Sequence, residues 1–268
     1  MDILKQQFAL ANDTALRFVD SEKGEKVVVF IHGYLETADI WEEIMTIMSK
    51  DYRVISFDIP GHGISETRHK IHSMEYIADT MNALLEQLKI EKCSVIGHSM
   101  GGYVAMAFAR KYSEKTEKVV LFHSTPESDT PEKKLNRDRE IKIISSGKKE
   151  LLSKSNPGKS FAPENRRKYF DIIDDLSRGI IETDDDGIIA LLKGMEERVS
   201  SNDIAENLAE RLMFLFGKHD EYIPAEYANK LIEQFPKANV KWLENSGHMG
   251  IFENRDEAIN AIEEFIEK

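Results

Sequence analysis

The feature that most constrains this chain is an alternation of short, largely apolar runs with helical patterns. Val27–Ile31 is an unbroken run of β-branched and aromatic residues, and Arg53–Phe57, Cys93–Ile96 and Val119–Phe122 repeat the largely apolar pattern. Between them apolar residues recur at three- and four-residue steps, over roughly Ile40–Met48, Met74–Leu88 and Gly101–Lys111. A strand apolar along its whole length is buried on both faces, and parallel neighbours need a helix to carry the chain back. The pattern predicts an α/β fold with a mostly parallel central sheet and helices on both faces. Phe8–Val19, broken by the turn Ala11-Asn12-Asp13-Thr14, reads as a leading antiparallel hairpin.

The alternation stops after Phe122. Some eighty residues follow with helical patterns, many charges and no convincing buried strand. Helices are expected near Lys133–Ser145, Glu164–Ser177 and Gly187–Val199, separated by the turn clusters Ser155-Asn156-Pro157-Gly158 and Asp184-Asp185-Asp186-Gly187. The sheet pattern then resumes with Leu212–Phe216, a helix from about Pro224, a strand at Val240–Leu243 and a last helix over Arg255–Ile266. A chain of 268 residues organised in this way predicts one core, residues 1–125 and 209–268, interrupted by a helical insertion at 126–208.

Charge narrows the partners. With 36 Lys+Arg against 48 Asp+Glu the net charge is −12, which repels phosphate backbones and anionic lipid surfaces, so neither nucleic acid nor membrane is expected as a partner. Met1–Leu10 lacks the basic start and apolar run of a secretory signal, and a cytoplasmic location is expected. The single cysteine, Cys93, opens an apolar run and reads as a buried structural thiol. Asp184, Asp185 and Asp186 read as a solvated turn. No pair of histidines has a metal-ligand spacing with carboxylate support, so neither metal nor cofactor is expected.

The chemistry concentrates at Gly97-His98-Ser99-Met100-Gly101, between the run ending at Ile96 and the helical pattern that follows. A serine there must turn sharply from strand to helix, which demands small neighbours and exposes its hydroxyl at the top of a sheet. A lone serine hydroxyl is a poor nucleophile at neutral pH; it needs an imidazole to take its proton and a carboxylate to fix the imidazole tautomer. Candidates follow the last two strands: Asp220 and Glu221 after Phe216-Gly217, and His248 in Glu244-Asn245-Ser246-Gly247-His248-Met249.

With these motifs the chain resembles the α/β-hydrolase superfamily from the hairpin through the final helix, the insertion corresponding to a cap. The resemblance implies an oxyanion motif at Ile31-His32-Gly33-Tyr34, where the backbone N–H groups of Tyr34 and Met100 would face the substrate oxyanion, and a D-x-P-G-x-G loop at Asp58–Gly63. It matches Phe216-Gly217-Lys218-His219-Asp220, which favours Asp220 over Glu221 as the acid, and gives Ser99 as nucleophile with His248 as base. His32, His62 and His98 would support loops, and His219 would face solvent. His123 is left open between touching a bound ligand and packing, with Ser124 and Thr125 beside it. Phe161, Tyr169, Ile188, Leu192 and Met195 of the cap are candidate pocket residues. Related dehalogenases and epoxide hydrolases carry aspartate at the elbow, and Ser99 disfavours their route.

The activity so implied is hydrolysis of a carboxylic ester of a small or medium-sized substrate through an acyl-enzyme. C–C bond, thioester or lactone hydrolysis and perhydrolysis can use the same triad, and a small-molecule receptor on the same scaffold is the reading from another class.

Overall fold

In a computed structural model describing residues 4–268, eight strands form one sheet in the order β1-β2-β4-β3-β5-β6-β7-β8. They are β1 Gln6–Ala11, β2 Thr14–Asp20, β3 Val27–Ile31, β4 Arg53–Phe57, β5 Cys93–His98, β6 Thr116–Phe122, β7 Leu212–Gly217 and β8 Asn239–Leu243. Strands β1 and β2 pair as the expected hairpin, and β2 joins β4 antiparallel; every other pairing is parallel. The α/β-hydrolase fold is therefore present, with a mostly parallel sheet.

Helices α1 Glu42–Met48, α2 Met74–Gln87 and α3 Met100–Lys111 return the chain between the early strands, and α9 Ala225–Gln234, α10 Gly250–Glu253 and α11 Arg255–Glu267 follow β7 and β8. Side chains alternate across the sheet, so that Val29 and Ile31 pack with α2, α3 and α9, whereas Val28 and Phe30 pack with α1 and α11. Cys93 is fully buried, and burial pushes its thiol up to about 12. Among the described residues no helix is long and apolar enough to cross a membrane.

Between β6 and β7 run α4 Pro131–Ser145, α5 Glu150–Ser160, α6 Phe170–Glu182, α7 Asp185–Glu197 and α8 Asn202–Leu208. Three sequence expectations change here. Ser155-Asn156-Pro157-Gly158 is no turn but lies inside α5, because Leu152, Ser153 and Pro157 are buried together and Ser160 Oγ donates to the Asn156 carbonyl. The helix expected at Glu164–Ser177 begins only at Phe170, since Asn165 is tied into a loop by bonds from its amide to the Asn245 carbonyl and the Glu253 carboxylate. Asp184 is the N-cap of α7, its carboxylate accepting from the Asp186 amide.

Helix α7 lies against the core through two glycines. A Cβ on Gly187 would stand 2.1 Å from the Gly61 carbonyl oxygen and one on Gly194 1.8 Å from that of His72, so backbone meets backbone at both points.

Candidate active site

Ser99 follows β5 and occupies the N-cap position of α3 with φ 50° and ψ −115°, a conformation costly for any residue but glycine. The sequence folds that way because its neighbours vanish: a Cβ on Gly97 would fall 2.3 Å from the Gly101 oxygen, and one on Gly101 2.3 Å from that of Ile31. Behind the elbow the Ser99 amide donates to Phe122, and Ser124 Oγ donates to the Ser99 carbonyl at 2.6 Å. Thr125 bonds the Tyr227 hydroxyl instead. The Tyr34 and Met100 amides, at the ends of the neighbouring strands β3 and β5, donate to no protein acceptor among the described residues.

Asp220 follows β7 and His248 follows β8, and the structure brings them together: His248 Nδ1 lies 2.8 Å from Asp220 Oδ2. Asp220 Oδ1 accepts from the amides of Tyr222 and Ile223 at 2.7 and 3.0 Å. Burial alone would raise the Asp220 carboxyl, but the adjacent His248 charge and the bonds from His123 and His248 outweigh it and hold it far below the usual carboxylate range. Glu221 instead pairs with Arg166 at 3.2 Å, and exposed His219 stands near Glu164. Ser99 Oγ makes no hydrogen bond to His248 in this arrangement, although both border one cavity; such bonds commonly tighten only with substrate.

The backbone of His248 is clamped on both sides. Its amide donates to the Ser160 carbonyl of α5 at 2.7 Å, and its carbonyl lies 2.8 Å from His98 Nε2. His98 Nδ1 meets Glu36 Oε2 at 2.9 Å, and the same oxygen accepts from the Gly33 amide at 2.5 Å. Both His98 nitrogens face acceptors, an arrangement that favours the doubly protonated ring. Burial would lower its pKa, but Glu36 raises it above the ordinary value; Glu36, which burial would raise, is held low by His98. His98 thus fastens the loop carrying Tyr34 to the loop carrying His248. Sequence gave no sign of Glu36, which lies outside every motif. His32 accepts from the Ile59 amide as a loop support should, whereas His62 is buried with neither ring nitrogen hydrogen-bonded.

A cavity of about 850 Å³ opens over Ser99 and His248. Its wall includes His123 and Met195, as two of the six expected pocket residues. The other four are corrections. Phe161 stacks with Tyr169 and Phe252 away from the cavity, Tyr169 donating to the Phe252 carbonyl, and Ile188 and Leu192 are sealed in the core by the close seat of α7. The insertion contributes residues that sequence reasoning missed: Arg137, Glu140 and Ile143 of α4, with Leu152 and Ile180. Arg137 is held by buried Asp129, which also receives Arg198. Two buried polar atoms on the wall, Tyr34 Oη and Glu140 Oε2, are neighbours that make no hydrogen bond of ordinary geometry to a described residue. Burial raises the Glu140 carboxyl above its ordinary value, against the opposing pull of Tyr34 and Arg137.

His123, Asp220 and His248 place nitrogen and oxygen atoms within 4.8 Å of one another, the donor types of a metal centre, which sequence spacing did not reveal. Here, however, both imidazole Nδ1 atoms point at one carboxylate oxygen, the pattern of a hydrogen-bonded cluster.

Comparison with known proteins agrees with this architecture. A family model described as the alpha/beta hydrolase fold matches residues 26–141. A Haemophilus influenzae protein with the provisional name esterase/lipase is 27% identical over 263 residues, covering 90% of this chain and 83% of that protein. Among solved structures, a thermophilic esterase from Thermogutta terrifontis, with malate bound, superposes with a TM-score of 0.91 at 25% identity over 98% of both chains. The enol-lactonase from Burkholderia xenovorans LB400 gives 0.87 at 19% identity, over 98% of this chain and 100% of the other, a likeness of fold.

Proposed function

This chain belongs to the α/β-hydrolase superfamily, and on that premise we propose that it is a serine esterase, cleaving carboxylic esters of small or medium-sized substrates through an acyl-enzyme. The observation that carries the reading is the 2.8 Å contact between His248 Nδ1 and Asp220 Oδ2 on the wall of the cavity that Ser99 also borders. In this reading Asp220 fixes the tautomer that leaves His248 Nε2 free. Ser99 Oγ attacks the ester carbonyl carbon as His248 takes its proton, and the resulting oxyanion receives the Tyr34 and Met100 amides. One such donor is worth about 3 kcal/mol to the transition state, so the strain held at Ser99 has a function in presenting the Met100 amide. His248 then protonates the departing alcohol. Water, deprotonated by His248, then attacks the acyl carbon, and as the acyl–Oγ bond breaks His248 returns that proton to Ser99 Oγ and the carboxylic acid departs.

Helices α4–α8 act as a cap that shapes the acyl pocket. The Tyr34 hydroxyl and Glu140 Oε2, neighbours without a well-formed bond, favour substrates carrying a polar group that can bond to them.

The test is Ser99→Ala, expected to lower kcat on p-nitrophenyl esters by roughly six powers of ten without loss of fold, while a fluorophosphonate labels Ser99 alone in the wild type. Asp220→Asn should cost orders of magnitude and Glu221→Gln little. Labelling of another serine, or the reverse ranking of the two acid variants, overturns the assignment. Tight ester binding with negligible turnover identifies a receptor instead.

A further inference from the structure

The described triad leaves one buried group unused. His123 follows β6, is fully buried, and holds φ 50°, the left-handed region that a non-glycine residue adopts only when something else compensates. Two glycines make room for its ring: a Cβ on Gly217 would stand 2.8 Å from its Cε1, and one on Gly250 2.5 Å from its Nε2. Its Nδ1 lies 3.1 Å from Asp220 Oδ2, the oxygen that His248 Nδ1 also meets.

The ring's hydrogens can be placed from its neighbours. The Gly250 amide donates to Nε2 at 3.3 Å, which requires that nitrogen to be bare. Nδ1 then carries the hydrogen and donates it to Asp220. The Gly217 amide points its N–H at Nδ1 as well, at 3.2 Å, so a neutral ring can accept from only one of the two amides; the Asp220 carboxylate decides for Nδ1–H, because the opposite tautomer would set a lone pair against the carboxylate oxygen at 3.1 Å. Burial pushes the imidazole down to about 4 in spite of Asp220, in keeping with a neutral ring that has one hydrogen to give.

We propose that His123 is a positioning residue for catalysis: sharing Asp220 Oδ2 with His248, it fixes the carboxylate and weakens the carboxylate's hold on the imidazolium that forms at His248. The inference rests on the serine-esterase reading. A carboxylate oxygen that accepts a second N–H has less electron density for the first, so the charged form of His248 gains less from it. Without His123 that charged form persists to higher pH, and the neutral base appears later. The other titratable groups against the His248 and His123 rings are His98 with its Glu36 partner, Tyr222 and Asp220 itself. All remain in a His123 variant, so a difference between variants reports His123.

His123→Asn and His123→Leu share a branched shape, but only asparagine retains an N–H for Oδ2. The measurement is the second-order rate of Ser99 labelling by a fluorophosphonate from pH 5 to 9, with p-nitrophenyl acetate hydrolysis beside it. In His123→Leu the acid limb of both profiles is expected to move up by roughly half a unit to one unit, while His123→Asn stays near the wild type. Nitrogen-15 ring spectra of the wild-type protein should show His123 as the neutral Nδ1–H tautomer across that range. An unmoved acid limb in His123→Leu overturns the proposal, even if rates or melting temperature fall, and so does an Nε2–H tautomer. If His123→Leu fails to fold, the wild-type tautomer decides. Failure of Ser99 to label in the wild type sinks the triad reading itself, a result recognisable apart from anything His123 does.

Discussion

Glu36 shows how much a residue outside every motif can hold. Its carboxylate joins Gly33, on the proposed oxyanion loop, to His98, which in turn holds the His248 carbonyl. Because the Glu36 pKa is depressed on folding, its contribution is present above the ordinary carboxylate value of about 4.3 and fades as pH falls. The His98 pKa is raised, so its contribution is complete below the ordinary imidazole value of about 6.5 and is lost as pH rises through the folded one. The pair therefore supports the fold most between those values. Glu36→Gln is expected to destabilise the protein by about 3 kcal/mol near pH 5.5, where His98 is left charged and buried, and by less at pH 3.5 or 9. Urea midpoints at the three pH values check this; an equal loss at all three would mean that the carboxylate is only a hydrogen-bond acceptor for Gly33. Ser99 could be found in the sequence because the elbow is written in consecutive residues. The roles of Glu36 and His123 could not, because each depends on a loop from a distant strand.

At the scale of elements, strands were legible to within a few residues because burial on both faces leaves an unbroken apolar run. The hairpin and α11 were equally plain. The insertion was not. Helix α5 keeps Pro157 and Gly158 inside it because packing of Leu152 and Pro157 overrides local turn signals, and α8 carried no pattern strong enough to name. Pocket residues were misassigned for a related reason: an apolar helical face does not say whether it meets a cavity or a neighbouring helix. Of α7, Met195 reaches the wall, while Ile188 and Leu192 face the core. Met195→Ala should improve kcat/KM for bulkier acyl groups relative to acetyl by about 1–3 kcal/mol of discrimination. Glu140→Gln, one helix away, should weaken preference for hydroxylated over plain acyl chains. An ester series run on both variants tests the two together, and parallel loss for every ester would place specificity in the core loops.

Across the whole molecule, the parallel strands carry the proposed site at their carboxyl ends, and of the five helices in the connection between β6 and β7, α4–α7 contribute residues to the cavity wall. Those five are not held alike. Helix α7 buries seven residues, Gly187, Ile188, Ala190, Leu191, Leu192, Gly194 and Met195, whereas α4 buries only Ile144 and α6 only Ile180. Gly194→Ala, whose new carbon has no room beside the His72 carbonyl, should lower stability by about 2–3 kcal/mol and be read as a drop in the urea midpoint. The seat of α7 on Gly61 and His72 has a kinetic meaning as well. In deuterium uptake α7 should open with the core, while α4 and α6 exchange by smaller, more frequent excursions. For the proposed esterase, product would then leave at a rate set by the loosest helices over the cavity, without any opening of the core.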